Sequence, residues 1–190
     1  MRALHWRTSV SKYTDSLPAA ANPATLHRYS PSGVKSASTR NVPKKSYEFA
    51  AAIDLGSNSF HMIVARIQNG QPVIIDRIRE MVRLADGVGH DGNILAEPQK
   101  RALARLKRFG QRLADFPQGS VRVVGTNTLR NATNADEFLA EAELALGHPI
   151  DIISGVEEAR LIYIGVSHSL AALEQQRLVM DVGGSSTELI

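Results

Sequence analysis

An α/β fold, a mixed sheet flanked by helices, is predicted by the order of elements along these 190 residues. From Tyr47, three apolar segments follow one another through tight turns, which suits antiparallel strands. Beyond Gly92, helical and strand patterns alternate, which suits further strands packed under helices. A third observation is a turn built on Asp, Gly and Ser that recurs 127 residues later and marks what the strand ends carry.

Taken in order, "YEFAAAIDLG" is an apolar run closing on Asp54-Leu55-Gly56, as a buried strand would. "FHMIVARIQ" follows a short turn, and Asn69-Gly70 is a strong hairpin signal into "QPVIIDRIREMVRLA", the third strand. "DGVGHDGN" is a glycine-rich loop. In "EPQKRALARLKRFGQRLADF", Leu103, Leu106, Phe109 and Leu113 recur at helical spacing and Pro98 suits a first turn. "SVRVVGTNTL" is a strand running into a loop. "NADEFLAEAELAL" is an amphipathic helix with Asn134 and Glu137 placed as a capping box and Gly147 as its stop. "HPIDIIS" is a short strand, "SGVEEARLIYIGVSHSL" a helix with a second capping box at Ser154 and Glu157, and "RLVMDVG" a last strand.

Charge divides the chain. Residues 1–45 hold eight Lys/Arg against Asp15 alone, leaving 14 basic and 18 acidic residues for 46–190. The alkaline pI therefore belongs to the first segment, and the remainder has no basic bias of the kind that binds nucleic acid. That segment is rich in Ser, Thr, Ala and Pro and is expected to be a disordered basic tail, since it has little apolar surface to offset ordering entropy. Its Arg- and Ser-rich, acid-poor composition also fits a transit peptide or a start site placed too far upstream. No cysteine is present, which excludes disulfides and thiolate metal sites and suits a reducing, cytoplasmic location. No apolar run reaches the ~18–20 residues of a membrane span.

The repeat carries the chemistry. "AIDLGSNSF" from Ala52 aligns with "VMDVGGSST" from Val179, so that Asp54 matches Asp181, Gly56 matches Gly183 and Ser59 matches Ser186. Glycine lets backbone N–H groups approach an anion, and small hydroxyls add donors without bulk. An Asp at the strand end can hold a hydrated Mg²⁺ that bridges phosphate oxygens. One such turn is a common hairpin; two suggest half-sites facing each other across a cleft.

"AAIDLGSNSFHMIVAR", "GTNTLRNATNADEFL", "ISGVEEARLIYIGV" and "LVMDVGGSSTEL" together closely resemble the exopolyphosphatase and guanosine pentaphosphate phosphohydrolase family, over about residues 47–190. That family belongs to the actin, sugar kinase and Hsp70 ATPase superfamily. The resemblance implies two ribonuclease-H-like domains with the active site between them, and Mg²⁺-dependent hydrolysis of terminal phosphoanhydride bonds. Residues 46–170 would be the first domain and 176–190 the first strands of a second, truncated copy.

The resemblance also assigns roles. Glu158, the second Glu of "EEAR", would be the base that activates water, and a carboxylate there suits in-line attack on phosphorus. Glu157 instead has the structural capping role available; read alone, Glu158 could be an ordinary helix-start acid favoured by the macrodipole. Arg130 would bind phosphate and offset transition-state charge through two oxygens at once, with a surface arginine as the alternative. Thr126, Asn127 and Thr128 are further donors by position. Gly56, Ser57, Asn58 and Ser59 in one clasp and Gly183, Gly184, Ser185 and Ser186 in the other would cradle the phosphates. Asp54 and Asp181 would hold Mg²⁺, with Glu188 in the metal and water network or, on the other reading, on a solvent face. Ser185 departs from the family's usual Gly or Ala, and a positive φ there would strain it.

Gly87 to Gly92 matches GxGxxG only formally, because no helix opens directly from it. There is no GxxxxGK[ST]. His61 is expected to be a packed or hydrogen-bonded histidine, and the Asn131-Ala132-Thr133 sequon has no secretory context. The expected activity is release of terminal orthophosphate from inorganic polyphosphate, with guanosine pentaphosphate as the near alternative and a homodimer as the expected state of a full-length protein. A sugar or acetate kinase relative, or a non-catalytic phosphate-binding module, are the readings from other classes.

Overall fold

The computed structural model describes residues 47–170 and 177–190, so the expected disordered tail at 1–45 lies outside the described residues. Strand β1 (Phe49–Leu55) buries Ala51, Ile53 and Leu55 and leaves Ala52 and Asp54 exposed, the period-2 pattern of a sheet with one packed face. Strand β2 (Ser59–Gln68) pairs with it antiparallel and buries Phe60, Met62 and Val64 on the same face. Asn69 and Gly70 take φ of 52° and 75°, the two left-handed positions of the tight hairpin turn into β3 (Gln71–Met81). β3 is an edge strand, with Ile75 bulged out between the pairs Val64–Asp76 and Ala65–Ile74.

Helix α1 (Ala96–Arg112) leads to β4 (Val121–Gly125), which lies parallel to β1. A five-residue helix α2 (Asn127–Asn131) and helix α3 (Ala135–Leu146) lead to β5 (Asp151–Ile152), parallel to β4, and then helix α4 (Gly155–Ser169). The sheet order is β3-β2-β1-β4-β5, the mixed ribonuclease-H-like sheet flanked by helices that was expected. Phe60, Leu106, Phe109, Leu113, Phe138 and Leu146, all nearly inaccessible, form the core where α1 and α3 cover one face. Strands β6 (Met180–Val182) and β7 (Thr187–Leu189) form a separate two-stranded antiparallel sheet.

Four expectations change. β3 stops at Met81, because the carbonyl of Asn58 takes the N–H groups of Val82 (2.9 Å) and Arg83 (2.8 Å) and peels the chain off the ladder. The segment after β4 is not a loop but α2. Asn134 does not cap α3 with its side chain; its Oδ1 accepts from Ile94 N (2.8 Å) and its Nδ2 donates to Ile94 O (3.0 Å), clamping the glycine-rich loop instead. At α4, Ser154 Oγ accepts from Glu157 N (3.2 Å), but the Glu157 carboxylate forms a two-pronged bond with Arg160 (2.7 Å each) rather than reaching back. The loop with the formal GxGxxG folds as a 3₁₀ turn and an isolated Val88–Ile94 bridge, and α1 opens only at Ala96, not directly from the glycines.

Candidate active site

Five pieces of chain meet at the carboxyl end of β1: the β1–β2 turn, α2, the start of α4, and both arms of the β6–β7 hairpin. The two clasps are built alike. A Cβ on Gly56 would stand 3.0 Å from Ser59 O, and one on Gly183 3.2 Å from Ser186 O, so each turn closes on itself through the same glycine contact. Gly183 N donates to Ser186 O at 2.9 Å. The likeness runs one residue beyond the aligned motif: Asp54 faces His61 across the β1–β2 ladder, and Asp181 faces Glu188 across β6–β7, again 127 apart.

The clasps also touch. A Cβ on Gly184 would lie 2.8 Å from Asn58 Cβ, so only glycine fits there. Ser185 Oγ donates to Ser57 Oγ, which also accepts from Thr128 Oγ1 at 2.7 Å. Asn127 Nδ2 donates to Ser185 O (3.0 Å) and Oγ (2.9 Å), while its Oδ1 accepts from Asn131 Nδ2 (2.7 Å). Asn131 Nδ2 also donates to the Asn127 carbonyl at 2.9 Å, which fixes the direction of the whole relay. Buried Ser57 Oγ thus bridges Ser185 and Thr128, joining the second clasp to α2 through the first. Ser185 is not among the described non-glycine residues with positive φ, namely Asn69 and Arg83, so a serine there is unstrained.

Around the clasps stand four carboxylates and one guanidinium. Asp54 has its pKa raised from an ordinary 3.8 to about 6, first by lost hydration, then by the charges of Glu158 and Asp181. Its surface is still open to solvent at the cleft, so that loss of hydration is partial. Glu158 is also raised, by burial first and then by Glu188, with Arg130 pulling the other way. Arg130 Nη1 donates to Ile153 O at 2.6 Å and lies 3.4 Å from Glu158 Oε2, both side chains mostly buried. Glu157 points to Arg160 and its pKa is lowered by that bond, so the two adjacent glutamates have opposite environments. Glu188 is 8% exposed, which removes the solvent-face reading, and its Oε2 is buried without a hydrogen-bond partner among the described residues. Asp181 is exposed on β6.

These residues fit a hard divalent cation in donor chemistry: several carboxylates repel one another around one cleft, and one buried oxygen has no partner. No three His, Asp or Glu among the described residues converge as a ready-made metal cage. Mg²⁺ does not require one, since it keeps several waters and takes one or two carboxylates.

One feature here was not legible in the sequence, and one expectation holds. The Asn127–Asn131 relay depends on α2, where the sequence pattern suggests a loop; its i, i+4 spacing is the signal of it. His61, expected to be packed or hydrogen-bonded, has Nε2 2.8 Å from Ser59 Oγ, and Arg79 Nε donates to the same oxygen at 3.4 Å. Partial burial, then Arg79, lowers the pKa of His61.

The model of the Ppx/GppA phosphatase family matches residues 63–190. An exopolyphosphatase from Cytophaga hutchinsonii is similar in structure, with TM-score 0.69 and 31% identity, over 75% of this chain and 46% of that one. The PPX-GPPA enzyme of Aquifex aeolicus matches with TM-score 0.66 and 31% identity, over 74% and 47%. An exopolyphosphatase-like protein matches with TM-score 0.68 and 33% identity, over 74% and 44%. The chain spans less than half the length of these structures. No helix among the described residues is long and apolar enough to cross a membrane. With its two like clasps, its sheet order and these matches, the chain belongs to the Ppx/GppA phosphatase family.

Proposed function

We propose that this chain forms part of a cytoplasmic phosphoanhydride hydrolase of the exopolyphosphatase type, releasing orthophosphate from the end of inorganic polyphosphate. The observation that carries this reading is the convergence of Glu158, Arg130, Asp54, Asp181 and Glu188 on two touching clasps. Gly56, Ser57, Asn58 and Ser59, with Gly183, Gly184, Ser185 and Ser186, hold the terminal phosphates through backbone N–H and hydroxyl donors. Glu158 takes a proton from water as its oxygen bonds to the terminal phosphorus. The bridging P–O bond breaks, and its oxygen leaves with the shortened chain. Arg130, already anchored on Ile153 O, offsets the charge gathering on the equatorial oxygens. Asp54 and Asp181, with Glu188, would hold Mg²⁺, which supplies charge neutralisation on the phosphate oxygens when bound. The raised pKa of Glu158 suits a base that must accept a proton.

The test compares this chain and Glu158→Ala on long-chain polyphosphate with Mg²⁺, following orthophosphate. Loss of turnover by at least ~10²-fold is expected, as for removal of a general base. Equal release from both would remove Glu158 from the mechanism. Binding of polyphosphate without release by either would favour the non-catalytic binding module, and a preference for guanosine pentaphosphate the sister activity.

A further inference from the structure

The two clasps meet by a local two-fold rule. Aligned on Gly56 and Gly183, Ser57 corresponds to Gly184 and Asn58 to Ser185. Ser57 bonds to Ser185, and Gly184 packs on Asn58, so the second residue of each turn meets the third residue of the other. Reciprocal pairing of this kind arises where two like surfaces meet about a two-fold axis. Chemistry breaks the symmetry. Gly184 offers Asn58 no side chain, whereas Ser57 offers Ser185 a hydroxyl, and that contact is a hydrogen bond.

Three elements join at Ser185. Its Oγ donates to Ser57 Oγ in the first clasp and accepts from Asn127 Nδ2 on α2 at 2.9 Å, while its carbonyl takes the same amide at 3.0 Å. Helix α2 also carries Arg130. A hydroxyl has one hydrogen, and that of Ser185 is spent on Ser57, so this side chain has none left for a phosphate oxygen. The tie works against forces in the same cleft. Asp54 and Asp181 repel each other across the contact. The β6–β7 hairpin, with three-residue strands and Met180 and Val182 in solvent, has little apolar burial of its own to keep it closed. A site divided between two such pieces binds less tightly in proportion to the time that they spend apart.

We propose that Ser185 is a positioning residue: its hydroxyl holds the second clasp against Ser57 and α2 in the free chain, so that phosphate meets a preformed site rather than having to close one. The proposal rests on the clasps binding phosphate, as put forward above.

The experiment measures affinity of the whole 190-residue chain for tripolyphosphate, beside amide exchange of Met180, Asp181 and Val182 in the free chain. Ser185→Ala removes both bonds of the hydroxyl and keeps the carbonyl bond to Asn127. It is expected to bind tripolyphosphate about three- to tenfold more weakly, the net worth of roughly one hydrogen bond. Hairpin exchange should quicken by at least that factor, with Ile53, Met62 and Val123 in the core unchanged. In a Ser57→Ala background the tie is already broken, so adding Ser185→Ala should cost at most about twofold in affinity, as for coupled rather than independent groups. Weaker binding with unaltered hairpin exchange, or losses that simply add in the double variant, would make Ser185 a direct phosphate ligand and overturn the positioning role. Faster exchange with unaltered affinity would leave the tie structural only and overturn it equally, as would no change in either. If the unaltered chain does not bind tripolyphosphate, the phosphate-clasp reading fails and the proposal with it.

Discussion

At the scale of single residues, Asp54 holds the least comfortable charge in the cleft. Its pKa of about 6 in the folded chain, against an ordinary 3.8, means that the unfolded chain gives up this proton first. Folding stability from this group is therefore fully present below pH 4 and is lost as pH rises through 6. The difference in melting temperature between Asp54→Asn and the unaltered chain should open between pH 4 and 6, the variant being the more stable above it. Carboxyl NMR on the metal-free chain should place the Asp54 midpoint near 6, and Asp181→Asn should lower it, since Asp181 is one of its two charged causes. An unmoved midpoint in Asp181→Asn would separate the two clasps electrostatically. Glu158 shows the same logic with a different partner: Arg130 tempers its rise, whereas Glu157 one position earlier is neutralised on the surface by Arg160.

At the scale of elements, the competition between α1 and α3 turns on Gly110. A glycine inside a helix normally weakens it by about 1 kcal/mol relative to alanine. Here a Cβ would stand 2.6 Å from the carbonyl oxygen of Leu146 and 2.9 Å from that of Ala145, backbone atoms that cannot rotate away. Overpacking of about 1–3 kcal/mol then outweighs the propensity gain, so Gly110→Ala should lose about 1–2 kcal/mol in urea unfolding. A stabilised variant would mean that the helices slide apart at little cost. Elements set by their own residues were legible in sequence. Asn69-Gly70 forms its turn from its own φ preferences, and Gly147 (φ 80°) ends α3 as a glycine stop does. What was not legible depended on partners remote in sequence. Asn134 had a capping pattern but found Ile94, 40 residues away, and the relay through Asn127 required Ser185, 58 residues away. The repeat made both clasps and the positions of Asp54 and Asp181 readable, because each turn is local. It could not reveal that the clasps bond to each other, nor that Glu188 is buried.

At the scale of the whole molecule, stability should be uneven, and the unevenness falls on the candidate site. The five-stranded sheet is anchored by side chains with almost no exposure, whereas the β6–β7 hairpin leaves Leu178 (74%), Met180 (60%), Val182 (71%) and Leu189 (61%) in solvent. With three-residue strands and only Val179 and Glu188 buried, little apolar burial stabilises it. Its attachment to the first clasp rests on the Ser185 hydroxyl and the fit of Gly184 against Asn58, and to α2 on the Asn127 amide. Such a unit opens locally at a lower free energy than the core unfolds. Amide exchange of Met180, Asp181 and Val182 should therefore outpace that of Ile53, Met62 and Val123 by orders of magnitude in the free chain. Because the proposed ligand contacts both clasps, tripolyphosphate should slow exchange in the hairpin by the binding free energy and leave the core strands unchanged. Equal protection of hairpin and core in the free chain would mean that the inter-clasp bonds are far stronger than their number suggests. Protection of the hairpin that ignores the ligand would place phosphate binding on the first clasp alone.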